Sequence, residues 1–375
     1  MVECRLSFLK IGIMIKVLML SRSTLYTAPG GDTIQIVETA NHLIKLNVKV
    51  DIKLTNDKTI EYGDYNLIHF FNIIRPNDIL GHIRKSNIPF VISTIFVDYS
   101  EYEKKLRKGA LGFLGKFLSA DFVEYFKVIA RYLKNGEKIG DFSYLILGHK
   151  RSIQKILKKA CCLLPNSESE YKRLYAIYNV KNQYIVIPNA LNIETFKNTL
   201  TSSQKRNGVI CVARIEGLKN QLNLIKAINE TNYSLTIIGN PSPNSIGYYE
   251  QCMNEASKNV DFISHLTQEE LNEYYNKAKV HILPSWFETT GLSSLEAGYL
   301  GCNIVVTDKG DVKEYFKDFA TYCDPFDIQS IRKAIIVAYE KENSPDLKEY
   351  ILNNYTWDIT AKKTKEAYLG VLNRN

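Results

Sequence analysis

The chain has 375 residues, a formal net charge of +8, 45% hydrophobic and 23% charged residues, and seven cysteines. That length allows two domains, each with its own core, and the composition excludes a disordered, fibrous or disulfide-scaffold chain. The adjacent Cys161-Cys162 pair and the absence of a CxxC spacing point to reduced thiols and a cytoplasmic protein, while six scattered histidines assemble no metal site.

Residues 1–13 read as a disordered or misannotated extension, because Met14-Ile-Lys-Val-Leu-Met-Leu-Ser looks like a natural start running into a strand. The apolar stretch Ile11 to Leu20 is interrupted by Lys16 and falls short of the ~20 residues a membrane span needs. No small-residue cleavage site follows, so no signal peptide is expected. Strands are predicted at Lys16–Ser21, Val48–Leu54, Leu67–Phe71 and Phe90–Ser93, with a helix over Asp32–Leu46. After a basic segment come a strand at Cys161–Leu164, a helix at Glu168–Tyr178 and a strand at Tyr184–Ile187. The polar stretch Asn198–Asn207 has linker composition and sets a domain boundary near residue 200. The pattern then restarts, with strands at Val209–Val212, Ser234–Ile238, Val260–Ile263, Val280–Leu283 and Asn303–Thr307. The helices between them are predicted at Gln221–Asn229, Tyr248–Ser257, Gln268–Lys277 and Gly291–Leu300. Strand–helix alternation means parallel sheets, so an α/β chain of two Rossmann-like halves in tandem is expected: 1–200, and 201–354 followed by a C-terminal helix, about 355–375, that packs back on the first half.

Charge is unevenly spread. Residues 1–200 carry 29 Lys/Arg against 18 Asp/Glu, and residues 104–159 alone carry 14 against 4. This segment also holds Leu111, Phe113, Leu114, Phe117, Phe122, Tyr125 and Phe126. Basic and aromatic residues interleaved at helical spacing suit an anionic membrane surface; the alternative is two amphipathic helices with solvated Lys faces. No nucleic-acid-binding module accompanies the patch, so nucleic acid is not expected as a partner.

Three features carry chemistry. Pro29-Gly30-Gly31 follows the first strand, where two glycines let a phosphate or carboxylate approach the backbone, though a simple tight turn reads the same. It is not the GxGxxG dinucleotide fingerprint. Arg214 and Lys219 lie in the loop after the first strand of the second half and can converge on a diphosphate, although solvated surface cations fit as well. The third is the segment Pro284 to Gly298, in which Glu288 and Glu296 flank the expected start of a helix with the Gly291 and Leu292 N–H groups between them.

The order of Gly-Gly loop, Arg-x4-Lys and Glu-x7-Glu resembles the retaining nucleotide-sugar glycosyltransferases of family 4, also called group 1 transferases, which adopt the two-domain GT-B fold. Pro165-Asn166-Ser167-Glu168 and Pro188-Asn189-Ala190-Leu191-Asn192 look like two further segments of that family, so the resemblance runs from Met14 to the end. It implies two Rossmann-like domains with parallel sheets facing a central cleft. It also implies transfer of a sugar with retention from a nucleoside diphosphate sugar to a glycan or lipid-linked acceptor, in cell-surface polysaccharide or glycolipid synthesis, at the inner face of the membrane. Arg214 and Lys219 would hold the donor diphosphate, Glu296 the ribose hydroxyls and Glu288 the transferred sugar. Gly291 and Leu292 would cradle sugar or phosphate, and Gly30 and Gly31 would approach the diphosphate from the first domain. Phe262, Ile263 and His265 would lie near the base, with Thr290 beside the donor. No Asp-x-Asp triplet occurs, which agrees with a metal-independent reaction and no cofactor beyond the donor. The sequence departs from the family at Thr290 and Ala190 and lacks the usual first-domain His, for which Asp98 is the substitute; a helix cap or loop carboxylate is the plainer reading of Asp98. A same-fold nucleotide-sugar epimerase or hydrolase, or an inactive nucleotide-binding scaffold, are the alternatives.

Overall fold

The computed structural model describes residues 14–98, 140–197 and 205–374, together with 121, 125, 126, 128 and 199. The expected extension at 1–13 and nearly all of the basic segment before residue 140, including Lys104, Lys105, Arg107 and Lys108, lie outside the described residues.

Five strands form the first sheet: β1 (Lys16–Ser21), β2 (Lys49–Leu54), β3 (Leu67–Phe71), β4 (Phe90–Ser93) and β5 (Cys162–Leu164). All pairings are parallel, in the order β2-β1-β3-β4-β5, with Val17 level with both Val50 and Leu67. Parallel strands need crossover helices, and both faces of the sheet are covered, which is why β3, β4 and β5 read as apolar runs, while the edge strand β2 (KVDIKL) alternates charged and apolar residues. The helices are α1 (Gly31–Lys45), α2 (Pro76–Lys85), α3 (Ser143–Lys159) and α4 (Glu168–Tyr178). Successive side chains of a strand face opposite ways. Leu18 and Leu20 therefore join Ile79, Ile153, Ile156 and Leu174 in one core layer. Val17 and Met19 join Ile36 and Leu43 in the other.

Six strands form the second sheet: β6 (Val209–Val212), β7 (Leu235–Ile238), β8 (Val260–Ile263), β9 (Val280–Leu283), β10 (Asn303–Thr307) and β11 (Ala320–Cys323). They are parallel throughout, in the order β11-β10-β9-β6-β7-β8. Their helices are α5 (Gln221–Asn229), α6 (Ile246–Glu255), α7 (Gln268–Lys277), α8 (Leu292–Tyr299), α9 (Val312–Phe316), α10 (Ile328–Glu340) and α11 (Asp346–Asn354). The last helix, α12 (Trp357–Leu372), leaves this half: Ala361, Ala367, Tyr368 and Val371 are buried in the same layer as Val17 and Leu43.

The chain crosses between the halves at Pro188–Leu191, ahead of the polar stretch, because Leu191 and Phe196 are already buried in the second core. It returns at Tyr355–Thr356. The two crossings lie side by side, with Leu191 N–H donating to Tyr355 O at 3.1 Å and Thr360 Oγ1 donating to Pro188 O at 2.8 Å. One predicted strand is not formed. Tyr184–Ile187 follows β5 through a single bridge, Leu163 to Tyr184, and one further hydrogen bond, Ile187 N–H to Pro165 O, because Pro165 has no N–H with which to continue the ladder.

Candidate active site

In open parallel sheets a crevice forms beyond the carboxyl ends of the strands where the strand order reverses. In the second sheet this point lies between β6 and β9, so the loops after those strands face each other. They carry Arg214 to Lys219 and Pro284 to Gly291, and Trp286 N–H donates to Leu218 O at 3.0 Å to join them. Asn220, with φ +60°, turns the first loop into α5 and donates through Nδ2 to Pro284 O at 3.1 Å. Gln221 Nε2 donates to Arg214 O at 2.8 Å. The loop that presents the two cations is thus bonded to the floor of the crevice.

Lys219 Nζ lies 2.7 Å from Glu288 Oε2, and Ser285 Oγ donates to the same oxygen at 3.0 Å. Glu288 is 8% exposed. Gly291 follows with φ +67° and ψ +61°, a left-handed conformation that favours glycine, and α8 begins at Leu292 with no side-chain cap on its first N–H groups. A helix start of this kind presents free donors to an anion. Glu296 lies one turn into α8, buried, and accepts from Tyr275 Oη at 2.9 Å; burial pushes its carboxyl up to about 7.

The first sheet meets this crevice from the other side. The loop after β1 is closed by Arg22, whose Nε donates to Asp32 Oδ2 at 2.6 Å and whose Nη2 donates to Ala28 O at 2.8 Å. This places Gly30 and Gly31 at the start of α1. A Cβ on Gly30 would come within 3.8 Å of Arg214 Nη2, and one on Gly31 within 3.8 Å of Leu292 Cδ1. Gly30, Gly31, Arg214, Lys219, Glu288, Gly291 and Leu292 therefore surround one cleft between the halves.

The other predicted positions lie on neighbouring elements. Phe262 and Ile263 are on β8, the edge strand, with Phe262 packed edge-on to Tyr249 at 5.8 Å. His265 is exposed, its N–H donating to Asn240 Oδ1 at 3.1 Å. Thr290 is buried, and its hydroxyl accepts from Asn189 Nδ2 at 3.2 Å. Asp98 follows β4 in a loop whose Phe96 N–H donates to Glu170 Oε1 at 2.8 Å.

Sequence reasoning missed several buried polar links. Within the first half, Glu170 is fully buried, accepts from Thr94 Oγ1, Phe96 N–H and Asn166 N–H, and is pushed up to about 7 by burial. Arg173, Asp311, Glu314 and Tyr315 bridge α4 to the segment before and within α9. Arg22, Asp32, Ser285 and Tyr275 were missed as well. Only Ser285 and Arg22 had a local signal, being three residues from Glu288 and just past the first strand.

A cavity of about 830 Å³ opens in the first half, lined by Thr24, Thr55, Tyr62, Arg75, Asn77 and His82 among others. It lies beyond the carboxyl ends of β1, β2 and β3 and shares the Arg22–Gly31 loop with the cleft. His82 is locked in its wall by Tyr62 Oη at 2.7 Å and Thr55 O at 3.1 Å, and burial lowers its pKa.

Residues 192–356 match the family model described as Glycosyl transferases group 1. An uncharacterized glycosyltransferase of Methanocaldococcus jannaschii is 25% identical over 235 residues, which is 58% of this chain and 58% of that protein. The chain spans 60% and 58% of the length of the first two curated relatives it matches. Among solved structures, sucrose-phosphate synthase from Thermosynechococcus elongatus superposes with a TM-score of 0.72 at 16% identity, covering 96% of this chain and 100% of that one. HepE from Anabaena, in complex with UDP and glucose, gives a TM-score of 0.67 at 14% identity, covering 94% and 99%. The fold is the GT-B arrangement of these glycosyltransferases, two α/β units with parallel sheets.

Proposed function

We propose that the chain transfers a sugar, with retention of configuration, from a nucleoside diphosphate sugar to a glycan or lipid-linked acceptor in cell-surface polysaccharide or glycolipid synthesis. The observation that carries this reading is the cleft in which Arg214, Lys219, Glu288 and the uncapped start of α8 meet the Gly30-Gly31 loop. Arg214 and Lys219 neutralise the charge that grows on the diphosphate as the bond to the anomeric carbon breaks, so no metal ion is needed and EDTA leaves activity intact. The acceptor hydroxyl bonds to the same face of that carbon, and its proton goes to the departing phosphate oxygen. Catalysis is then mostly positioning and charge stabilisation. The acceptor enters by the first-half cavity beside Thr24. The assay is release of nucleoside diphosphate from UDP-, GDP- and ADP-sugars with glycan and lipid acceptors. Acceptor-dependent release is expected; free sugar or an isomerised donor without acceptor would establish a hydrolase or epimerase.

Peripheral attachment to the inner face of an anionic membrane belongs to the same proposal. On the described part of the basic segment, α3 exposes Lys150, Arg151, Lys155, Lys158 and Lys159, and Phe142 and Ile146 are 72% and 85% exposed. A break at Gly148, with φ +72°, separates the exposed apolar pair from the cationic run; exposed apolar and cationic side chains in one segment suit an anionic leaflet. Sedimentation with anionic vesicles at low salt, released at about 1 M salt where screening shortens to ~3 Å, is the expected result. No binding at low salt overturns it.

A further inference from the structure

We propose that Arg173 is a positioning residue that couples the seating of the first half to the placement of Glu288. The inference rests on Glu288 acting at the transferred sugar. Arg173, on α4, donates through Nη1 to Asp311 Oδ1 at 2.7 Å and through Nη2 to Asp311 Oδ2 at 3.1 Å. The pair is shielded, with side chains 16% and 1% exposed. Asp311 in turn holds Glu288 by backbone: Asp311 N–H donates to Glu288 O at 2.9 Å, and Glu288 N–H donates to Lys309 O at 3.3 Å. The two segments run as a one-residue bridge between Glu288 and Gly310, so close that a Cβ on Gly310 would fall 2.0 Å from Glu288 O. The same guanidinium lies 4.8 Å from the centre of the Phe287 ring, next to Glu288. It also donates through Nη2 to Phe96 O at 3.0 Å, two residues before Asp98.

One planar fork thus fastens the loops leading to both carboxylates. A guanidinium does this because its donors are fixed in one plane and match a carboxylate two at a time, whereas an ammonium makes single contacts. Glu314 sets the register of α4 against this segment, accepting from Glu168 N–H at 2.8 Å, Ser169 N–H at 2.6 Å and the Ser169 hydroxyl. A buried ion pair adds little net stability over an apolar pair, so the gain from Arg173 and Asp311 is one of placement.

The test compares Arg173→Met, Asp311→Asn, Arg173→Lys and the double variant Arg173→Met/Asp311→Asn, which strands no charge and is the one least exposed to misfolding. Amide exchange is followed over residues 286–312 alongside turnover of the donor. In the double variant the Asp311 and Glu288 amides should exchange at least tenfold faster than in the wild type, with the β6 and β7 amides unchanged. Its kcat should fall at least tenfold while the donor KM stays within twofold, and Arg173→Lys should recover part of kcat. A folded double variant with wild-type exchange and kcat within twofold overturns the coupling. If the wild type turns over no donor, the exchange data alone decide the coupling, and it is the activity assigned to Glu288 that fails.

Discussion

Replacing Glu288 by Ala should lower kcat/KM about 10³-fold, the upper end of what loss of one preorganised charge-stabilising group costs. The side chain is 8% exposed, sits against Lys219 Nζ at 2.7 Å and is aimed by Ser285 Oγ at 3.0 Å. Its removal takes away the carboxylate proposed to act at the transferred sugar and the ion pair with Lys219. Glu288→Gln keeps the Ser285 hydrogen bond and the volume but not the charge. It should therefore retain the fold and donor KM while losing nearly as much kcat, as measured by steady-state kinetics with matched thermal unfolding. Activity of the Gln variant within threefold of the wild type would remove Glu288 from the chemistry.

Arg214→Ala and Lys219→Ala should each cost roughly 2–4 kcal/mol in kcat/KM, and the double variant less than the sum, as expected of two cations proposed to serve one diphosphate. The two should differ in stability. Arg214 is exposed at the cleft mouth, so its loss should leave the unfolding midpoint unchanged. Lys219 is the partner of a largely buried carboxylate, so its loss strands Glu288 and should lower the midpoint. Strict additivity of the kinetic losses would place the cations at separate sites.

Much of this fold was legible in short apolar runs. LIHFF at 67–71 and VHIL at 280–283 are strands because both faces of a parallel sheet are covered, and no other element tolerates such runs at that length. Tyr184–Ile187 misled because a strand-like composition carries no information about whether a partner edge continues, and β5 ends at Leu164. The cleft residues were readable as loops after strands, since topology puts those loops at one end of the sheet. The partner of Thr290 was not: its hydroxyl accepts from Asn189, 101 residues away. Arg173 with Asp311 and Glu314 with Ser169 escaped for the same reason. Partners 138 and 145 residues apart leave no local spacing to read, and each alone looks like a solvated helix charge. Tyr275 is similar, for nothing in α7 announces that its hydroxyl reaches Glu296.

The central claim is that the cleft between the two halves binds the diphosphate of a nucleotide sugar through Arg214 and Lys219. It is tested most directly by calorimetric titration of UDP, GDP and ADP into the wild type and the Arg214→Ala/Lys219→Ala variant. One nucleotide should bind the wild type at one site per chain and raise its thermal midpoint, since a ligand that binds only the folded state stabilises it by mass action. The double variant, folded, should bind the same nucleotide about 100-fold more weakly, within the range set by two lost charge-assisted contacts to phosphate. Failure of all three nucleotides to bind the wild type at millimolar concentration, or equal binding by the variant, would contradict the account.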